Sequence, residues 1–462
     1  MIKFYFLIVL TFPIAAKAQW QGFSPPLRLT VQDRVNLFHT KDITGDGYPD
    51  LTLFYTAMHA SFSILKSNGD RQFPSYYNIS KSDNYYLSDI ADLNGDGYPD
   101  MVISSYWNNG FKIYFGSKGG QLKEGPFMAT GVHGRNIRCT DINKDGITDI
   151  VTTTSGSGRT ISLHVFIGNG DGTFHSRKEY PSVLDTCKEI YITDKNGDGL
   201  PDVAVSSSFA WLVIFIQKQD GSFEPYYTPT YTTAKLAFAD IDADGKEDLI
   251  SMYPSFENSP GSDSVMVRFN AGGHSFGAKK EVTNFRNRMI RPRIIRVADV
   301  NKDGFVDMFF DHTDMDGYST DTIYYMLGRG NGDFDDPQFI KTPENVLHFE
   351  LADMDLDGWI DLVVSCSDAT MNVFYAKAKG DTKSRTQTNI YPNPARSFLN
   401  VESKLQLPFT IRMYTAAGQL VKELVSDTPK KTVQTAGMPS GLYFIQVYNK
   451  AETIVRPVVV GR

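Results

Sequence analysis

Cysteine is scarce. The 462 residues hold three, Cys139, Cys187 and Cys366. An odd and small number excludes a disulfide-built scaffold, and no two of them have metal-ligand spacing. They read as small apolar residues in strands, with one bridge and one leftover thiol as the alternative. Long apolar runs are also missing after the first eighteen residues, so no later segment is fit to span a bilayer. No zinc signature, nucleophile elbow or phosphate loop occurs. The eight histidines, His39, His59, His133, His164, His175, His274, His312 and His348, are scattered and read as structural or exposed. A basic stripe is absent and the net charge is −7, which argues against a nucleic-acid partner.

What is present begins with a leader. Lys3 supplies a positive start, Phe4 to Ile14 an apolar core, and Ala16-Lys17-Ala18 a small-residue cleavage site. Residues 1–18 therefore read as a secretory signal, with the exported chain starting near Gln19.

One nine-residue motif then recurs seven times, starting at Asp42, Asp92, Asp141, Asp194, Asp240, Asp299 and Asp353. The intervals are 50, 49, 53, 46, 59 and 54 residues, the mark of a repeat architecture. Positions one, five and nine are always Asp, position six is always Gly, and position three is Asn, Asp or, once, Thr. Alternating oxygens, a sharp Gly turn and a carbonyl at position seven are how a loop builds a cage for a hard cation. The ligand sets are Asp42, Thr44, Asp46, Tyr48 and Asp50; Asp92, Asn94, Asp96, Tyr98 and Asp100; Asp141, Asn143, Asp145, Ile147 and Asp149; Asp194, Asn196, Asp198, Leu200 and Asp202. They continue with Asp240, Asp242, Asp244, Lys246 and Asp248; Asp299, Asn301, Asp303, Phe305 and Asp307; Asp353, Asp355, Asp357, Trp359 and Asp361. Thr44 makes the first set the weakest candidate.

An EF-hand would carry Glu at position twelve, where this chain has Leu53, Ile103, Thr152, Val205, Ser251, Phe310 and Val364. Near-continuous apolar runs follow each ninth Asp, so the loops lead into buried strands, not helices. A variable connection, a second strand ending in a Gly-rich turn, and a more polar strand complete each repeat. This gives four antiparallel strands per repeat, one blade of a β-propeller, and seven blades in all. The last repeat has no fourth strand of its own after Tyr375. Residues about 20–30 read as an orphan fourth strand that joins the blade begun near Val346 and closes the ring.

The pattern resembles the FG-GAP or VCBS repeat family, known from the head propeller of integrin α subunits, over about Trp20 to Lys383. The resemblance implies Ca²⁺ in the Asp-rich loops, carried over to the seven sets above, up to seven structural ions in all. From Asn389 the character changes. "YPNPA" (Tyr391 to Ala395), a turn at Gly418 and "GLYFIQV" (Gly441 to Val447) resemble the type A sorting domain of the type IX secretion system. That implies a small Ig-like β-sandwich, recognition by the secretion machinery, and a destination outside a Gram-negative cell. The expected layout is a leader at 1–18, a propeller at 19–383, a linker at 384–389 and the sorting domain at 390–462. The leader carries +2 and residues 384–462 carry +6, which leaves the propeller at −15. Seven divalent ions would neutralise nearly all of it.

Antiparallel order puts the metal loops and the third-to-fourth turns at one end of the ring. The variable second-to-third connections lie at the other, where Tyr55, His59, Tyr106, Trp107, Phe209, Trp211, Tyr253 and His312 are candidate contacts for a glycan or protein ligand. Packing between blades is the competing role for each aromatic. The expected function is a secreted or surface-held, non-catalytic binding propeller. A polysaccharide lyase or glycoside hydrolase on the same scaffold, and a purely structural surface-layer component, are the alternatives.

Overall fold

The computed structural model describes residues 20–55, 61–80, 85–105, 109–130, 134–155, 161–182, 187, 189–206, 211–229, 236–253, 264–284, 292–313, 318–378, 388–391, 395, 397–403, 405–415, 419–449 and 453–461. The leader lies outside them. Among the described residues every regular element is a strand, and no helix is long and apolar enough to cross a membrane.

Seven four-stranded antiparallel sheets occupy the region before the tail. In sheet 1 the strands are Val35–Lys41, Asp50–Tyr55, Ser61–Lys66 and Ser75–Ser80, paired in chain order. Sheets 2 to 6 repeat that order, their first strands being Tyr85–Ala91, Gly134–Thr140, Glu189–Thr193, Leu236–Ala239 and Ile295–Ala298. Sheet 7 takes Val346–Ala352, Asp361–Cys366 and Thr370–Phe374 from the end of the region and Leu27–Thr30 from its beginning. Leu27 to Thr30 pair with Val373 to Thr370, and Trp20–Phe23 adds a further pairing with Ala376–Ala378. The two ends of the region are thus hydrogen-bonded together, and the first strands touch one another in a closed cycle, with Val346–Ala352 returning to Val35–Lys41.

Packing follows the same cycle. Each joint between neighbouring sheets has its own apolar cluster. Ile43, Ile64, Met101 and Ile103 fill the joint between sheets 1 and 2; Leu93, Phe111, Ile137 and Ile150 fill the next. Val35, Phe38, Met354 and Val363 close the ring between sheets 7 and 1. The second residue of the Asp motif lies in six of these clusters as Ile43, Leu93, Ile142, Ile241, Val300 and Met354. An apolar side chain in the loop therefore anchors six of the seven corners into a core, where a fully buried Ile or Leu is worth about 1.5–3 kcal/mol.

The tail has two sheets. One orders Leu420–Ser426, Phe409–Thr415, Gly441–Tyr448 and Thr453–Val460; the other Thr388–Tyr391, Phe398–Ser403 and Lys430–Gln434. Leu399, Val401, Ile411, Met413, Ile445 and Val458 bury between them, as the inner faces of a small β-sandwich do. All three cysteines are free thiols.

Candidate metal loops and an axial belt

Every Asp-rich loop joins the first and second strands of its sheet, and every ninth-position Asp is the first residue of the second strand. Inside each loop the position-one carboxylate folds the turn around itself. Asp92 accepts the Gly97 N–H at 2.8 Å, and Asp141 accepts those of Asp145 and Gly146 at 3.0 and 2.8 Å. The same bond from the position-six glycine recurs in all seven loops. Those glycines stand at φ from +83° to +96°, the left-handed region that side chains avoid. Position five then accepts the N–H of position seven, as Asp198 does from Leu200 at 2.8 Å. The loops are thus pre-folded by their own carboxylates.

The ninth carboxylate has a further task. Asp100 is fully buried; one oxygen accepts the Leu93 N–H at 2.9 Å and the other the Gly116 N–H at 2.7 Å. The same pair of bonds holds Asp149, Asp202, Asp248, Asp307 and Asp361, each to its own position two and to the end of its third strand. Asp50 does so through Thr44 and Ser67. Each is therefore a staple from loop to third strand, which explains why an acid begins a buried strand. Burial pushes the carboxyls of Asp100 and Asp202 up to about 6, Asp50 and Asp307 to about 7, and Asp361 to about 8. Neighbouring carboxylates of the same loop add to the rise in each case.

Two loops bring three carboxylates within reach of one ion. Oxygens of Asp240, Asp242 and Asp244, and of Asp353, Asp355 and Asp361, lie within 4.8 Å of one another. In the fifth loop Asp242 Oδ1 and Glu247 Oε2 are buried with no hydrogen-bond partner. Buried carboxylate oxygens without donors are costly, and a hard cation is the ligand that would satisfy them. The donor set is all oxygen, which suits Ca²⁺ and not a soft metal.

A second feature was not apparent from the motif. Three residues ahead of each loop, at one register on the first strands, stand His39, Asp89, Arg138, Tyr191, Ala237, Arg296 and Glu350. Six of the seven are titratable, and they stitch sheet to sheet around the axis. His39 Nε2 meets Ser88 Oγ at 2.8 Å; Lys41 meets Asp89 at 3.0 Å; Asp89 accepts the Cys139 N–H at 2.8 Å. Arg296 holds Glu350 through two bonds of 2.7 Å, and His348 meets the same carboxylate at 2.9 Å. Burial opposes the charge on Glu350, yet Arg296 and His348 hold its carboxyl well below the usual range. Burial pushes His39 down to about 4, so it is neutral. Aligning the repeats at that offset is the sequence signal that finds this belt.

The fourth joint breaks the pattern of position two. Lys195 replaces the apolar residue and is fully buried. Its Nζ donates to Asn270 Oδ1 at 2.6 Å and the Ser275 carbonyl at 2.9 Å, over the Phe276 ring at 4.3 Å. Burial pulls its ammonium down to about 8.

Of the ligand candidates at the opposite end, Trp211 opens a third strand and is 42% exposed. Tyr55 is half-buried and its hydroxyl donates to Ser63 at 2.9 Å. His312 packs edge-on against Tyr324 and meets Thr320 Oγ1 at 2.9 Å, and burial lowers its pKa. Tyr253 ends a second strand. His59, Tyr106, Trp107 and Phe209 lie outside the described residues.

Two known families match separate parts of the chain. FG-GAP-like repeats match residues 42–103, 92–152, 141–205 and 194–251, and the secretion system C-terminal sorting domain matches 389–461. A search of curated protein sequences found no match. Among solved structures, the chain is similar to PorZ, a surface component of the type-IX secretion system of Porphyromonas gingivalis, at 13% identity and a TM-score of 0.46. That match covers 94% of this chain and 60% of PorZ. It is also similar to BBS1N from a complex with ARL6DN, at 11% identity and a TM-score of 0.50, covering 79% of this chain and 98% of that one. The WD40 domain of Toxoplasma gondii coronin matches at 7% identity and a TM-score of 0.48, over 82% of this chain and 94% of the domain. The chain is a secreted or cell-surface β-propeller that carries FG-GAP-like repeats and ends in a type IX secretion sorting domain.

Proposed function

We propose that this protein is a calcium-stabilised binding module, exported behind a leader at 1–18 and displayed at or released from the outer membrane of a Gram-negative bacterium. Its ligand would be a glycan or a protein. The observation that carries the reading is the division of the ring into two unlike ends. The repeated, pre-folded loops sit at one end, and the non-repeating connections, with the exposed indole of Trp211, at the other. A flat exposed indole is a platform for a sugar ring or an apolar side chain. The loops, in contrast, serve the scaffold.

At ~1 mM external Ca²⁺ and a Kd of ~0.1 mM, each filled loop adds about 1.4 kcal/mol. Seven would add about 10 kcal/mol, as much as the whole stability of an ordinary domain. The test of the binding role is a glycan array, with product analysis on every hit in the presence and absence of Ca²⁺. Binding without turnover is expected, weakened by Trp211→Ala. Shortened or unsaturated sugar products would overturn the non-catalytic reading in favour of a lyase or hydrolase.

A further inference from the structure

The position-five carboxylates reveal that the seven loops are not alike. In loops 2, 3, 4 and 6 the position-three asparagine donates Nδ2 to position-five Oδ2: Asn94 to Asp96 at 3.2 Å, and Asn143, Asn196 and Asn301 to Asp145, Asp198 and Asp303 at 2.8 Å each. Loops 1, 5 and 7 have Thr44, Asp242 and Asp355 at position three and lack that amide. Each of these three loops has a basic side chain instead. Lys66 Nζ meets Asp46 Oδ2 at 3.1 Å, and Lys246 Nζ meets Asp244 Oδ2 at 2.7 Å. In loop 7, Arg71 Nε meets Asp355 Oδ2 at 2.9 Å and Nη2 stands 3.9 Å from Asp357 Oδ2.

Loop 7 is the distinctive case. The side chains of Asp355 and Asp357 are 6% and 1% exposed, against 28% for Asp46 and 37% for Asp244. The arginine comes from another sheet, 284 residues away, across the seam that closes the ring. It sits in the third-to-fourth turn of sheet 1, at the place where the same turn in sheets 3, 4 and 6 has Gly172, Gly221 and Gly332. All four positions have positive φ, +59° at Arg71 and +82°, +74° and +75° at the glycines. A non-glycine residue there costs about 1 kcal/mol, so a side chain at this position needs a compensating contact. The direction is right for one: a Cβ built on Gly172 would come within 3.4 Å of Asn94 Cβ, position three of the preceding loop. The Arg71 guanidinium also lies over the Tyr375 ring, 4.5 Å from its centroid.

We propose that Arg71 is the resident cation of the seventh loop, occupying by ion pairing the place that a divalent ion takes in the asparagine loops. The closing seam is then locked whether or not calcium is present, and an ion enters loop 7 only by displacing the guanidinium. This rests on reading the loops as calcium sites, and the experiment separates the two.

Terbium(III) replaces calcium in oxygen cages and luminesces when a nearby aromatic ring is excited. Trp359 is position seven of loop 7, whereas loops 1 and 2 have Tyr48 and Tyr98 there. The full-length protein is titrated with terbium, exciting either tryptophan alone or tyrosine as well. Trp359 also lies against Lys302 of loop 6, whose Nζ is 4.5 Å from the ring centroid. In the wild type the tryptophan signal should therefore rise in two phases, a loop-6 phase together with the tyrosine signal and a loop-7 phase well after it. Arg71→Gln should bring the second phase in at a terbium concentration lower by about tenfold or more, the effect of losing a charge-assisted hydrogen bond. Trp359→Phe in that background should abolish it. Arg71→Lys keeps the charge and should stay close to wild type, which guards against a folding defect in the glutamine variant. Equal second-phase affinity in wild type and Arg71→Gln would overturn the proposal. So would the absence of a second tryptophan phase in both while the tyrosine channel saturates. Silence in both channels would sink the calcium reading itself, and this proposal with it.

Discussion

Replacing Asp100 with alanine tests whether the ninth carboxylate is a staple in its own right. The side chain is fully buried and accepts two backbone N–H groups, at 2.9 and 2.7 Å. Hydrogen bonds to a charged acceptor contribute about 1.5–3 kcal/mol each, and both donors would be left unsatisfied in the core. The expected loss is therefore about 3–6 kcal/mol. Its partner in the comparison is Asp96→Ala, position five of the same loop, which is exposed. In chelator that variant should lose less than about 1 kcal/mol, because its bonds are made in water. In ~1 mM Ca²⁺ it should forfeit the gain of one site, about 1.4 kcal/mol. The assay is urea unfolding followed by tryptophan fluorescence, with chelator and with Ca²⁺. It belongs near pH 8, above the value of about 6 to which burial pushes the Asp100 carboxyl. An Asp100→Ala protein as stable as wild type in chelator would refute the staple and leave the ninth Asp as a metal ligand only.

Two further predictions concern pH and the axis. Without metal, the raised carboxyls of Asp50, Asp307 and Asp361 hold protons that the unfolded chain, with a carboxyl pKa of about 3.9, has already lost. Their contribution is full below about pH 4 and is gone once pH rises through about 7 to 8. Because a cation needs the ionised form, the rise in melting temperature caused by Ca²⁺ should grow between about pH 5 and pH 8; a constant or shrinking rise contradicts this. Glu350→Gln removes the bidentate partner of Arg296 and should cost about 2 kcal/mol at neutral pH. The native Glu350 carboxyl is held low, so its contribution is lost as pH falls, and wild type and variant should converge in acid. An unchanged denaturation midpoint at neutral pH would mean the belt is ornamental to stability.

The repeated parts of the molecule were the legible parts. Seven copies in register reveal the loops, the strands that follow them and the sheet count, because each copy votes for the same local geometry. The orphan strand Leu27–Thr30 was legible from a missing partner at the other end. What escaped notice is what differs between copies or crosses the ring. The staple of Asp100 depends on Gly116, whose backbone lies so close to Pro99 that a Cβ would meet its carbonyl oxygen at 2.0 Å. Sequence shows the glycine and the aspartate but not that they meet. The belt of Asp89, Arg296 and Glu350 sits in strands that read as apolar when taken singly. Lys195 occupies a position where its six counterparts are apolar, and only its neighbours in the next sheet explain it. Arg71 and Asp355 are brought together by ring closure alone.

The central claim is that divalent cations hold the corners of a closed ring. It is tested most directly by melting the mature protein in ~1 mM Ca²⁺ and again in excess chelator at the same ionic strength. With about 2.1 cal/mol/K of unfolding entropy per residue, a loss near 10 kcal/mol lowers the melting temperature of a propeller this size by about 13 °C. That drop, reversed by adding Ca²⁺ back, is the predicted result. Superimposable melting curves in the two buffers would contradict it.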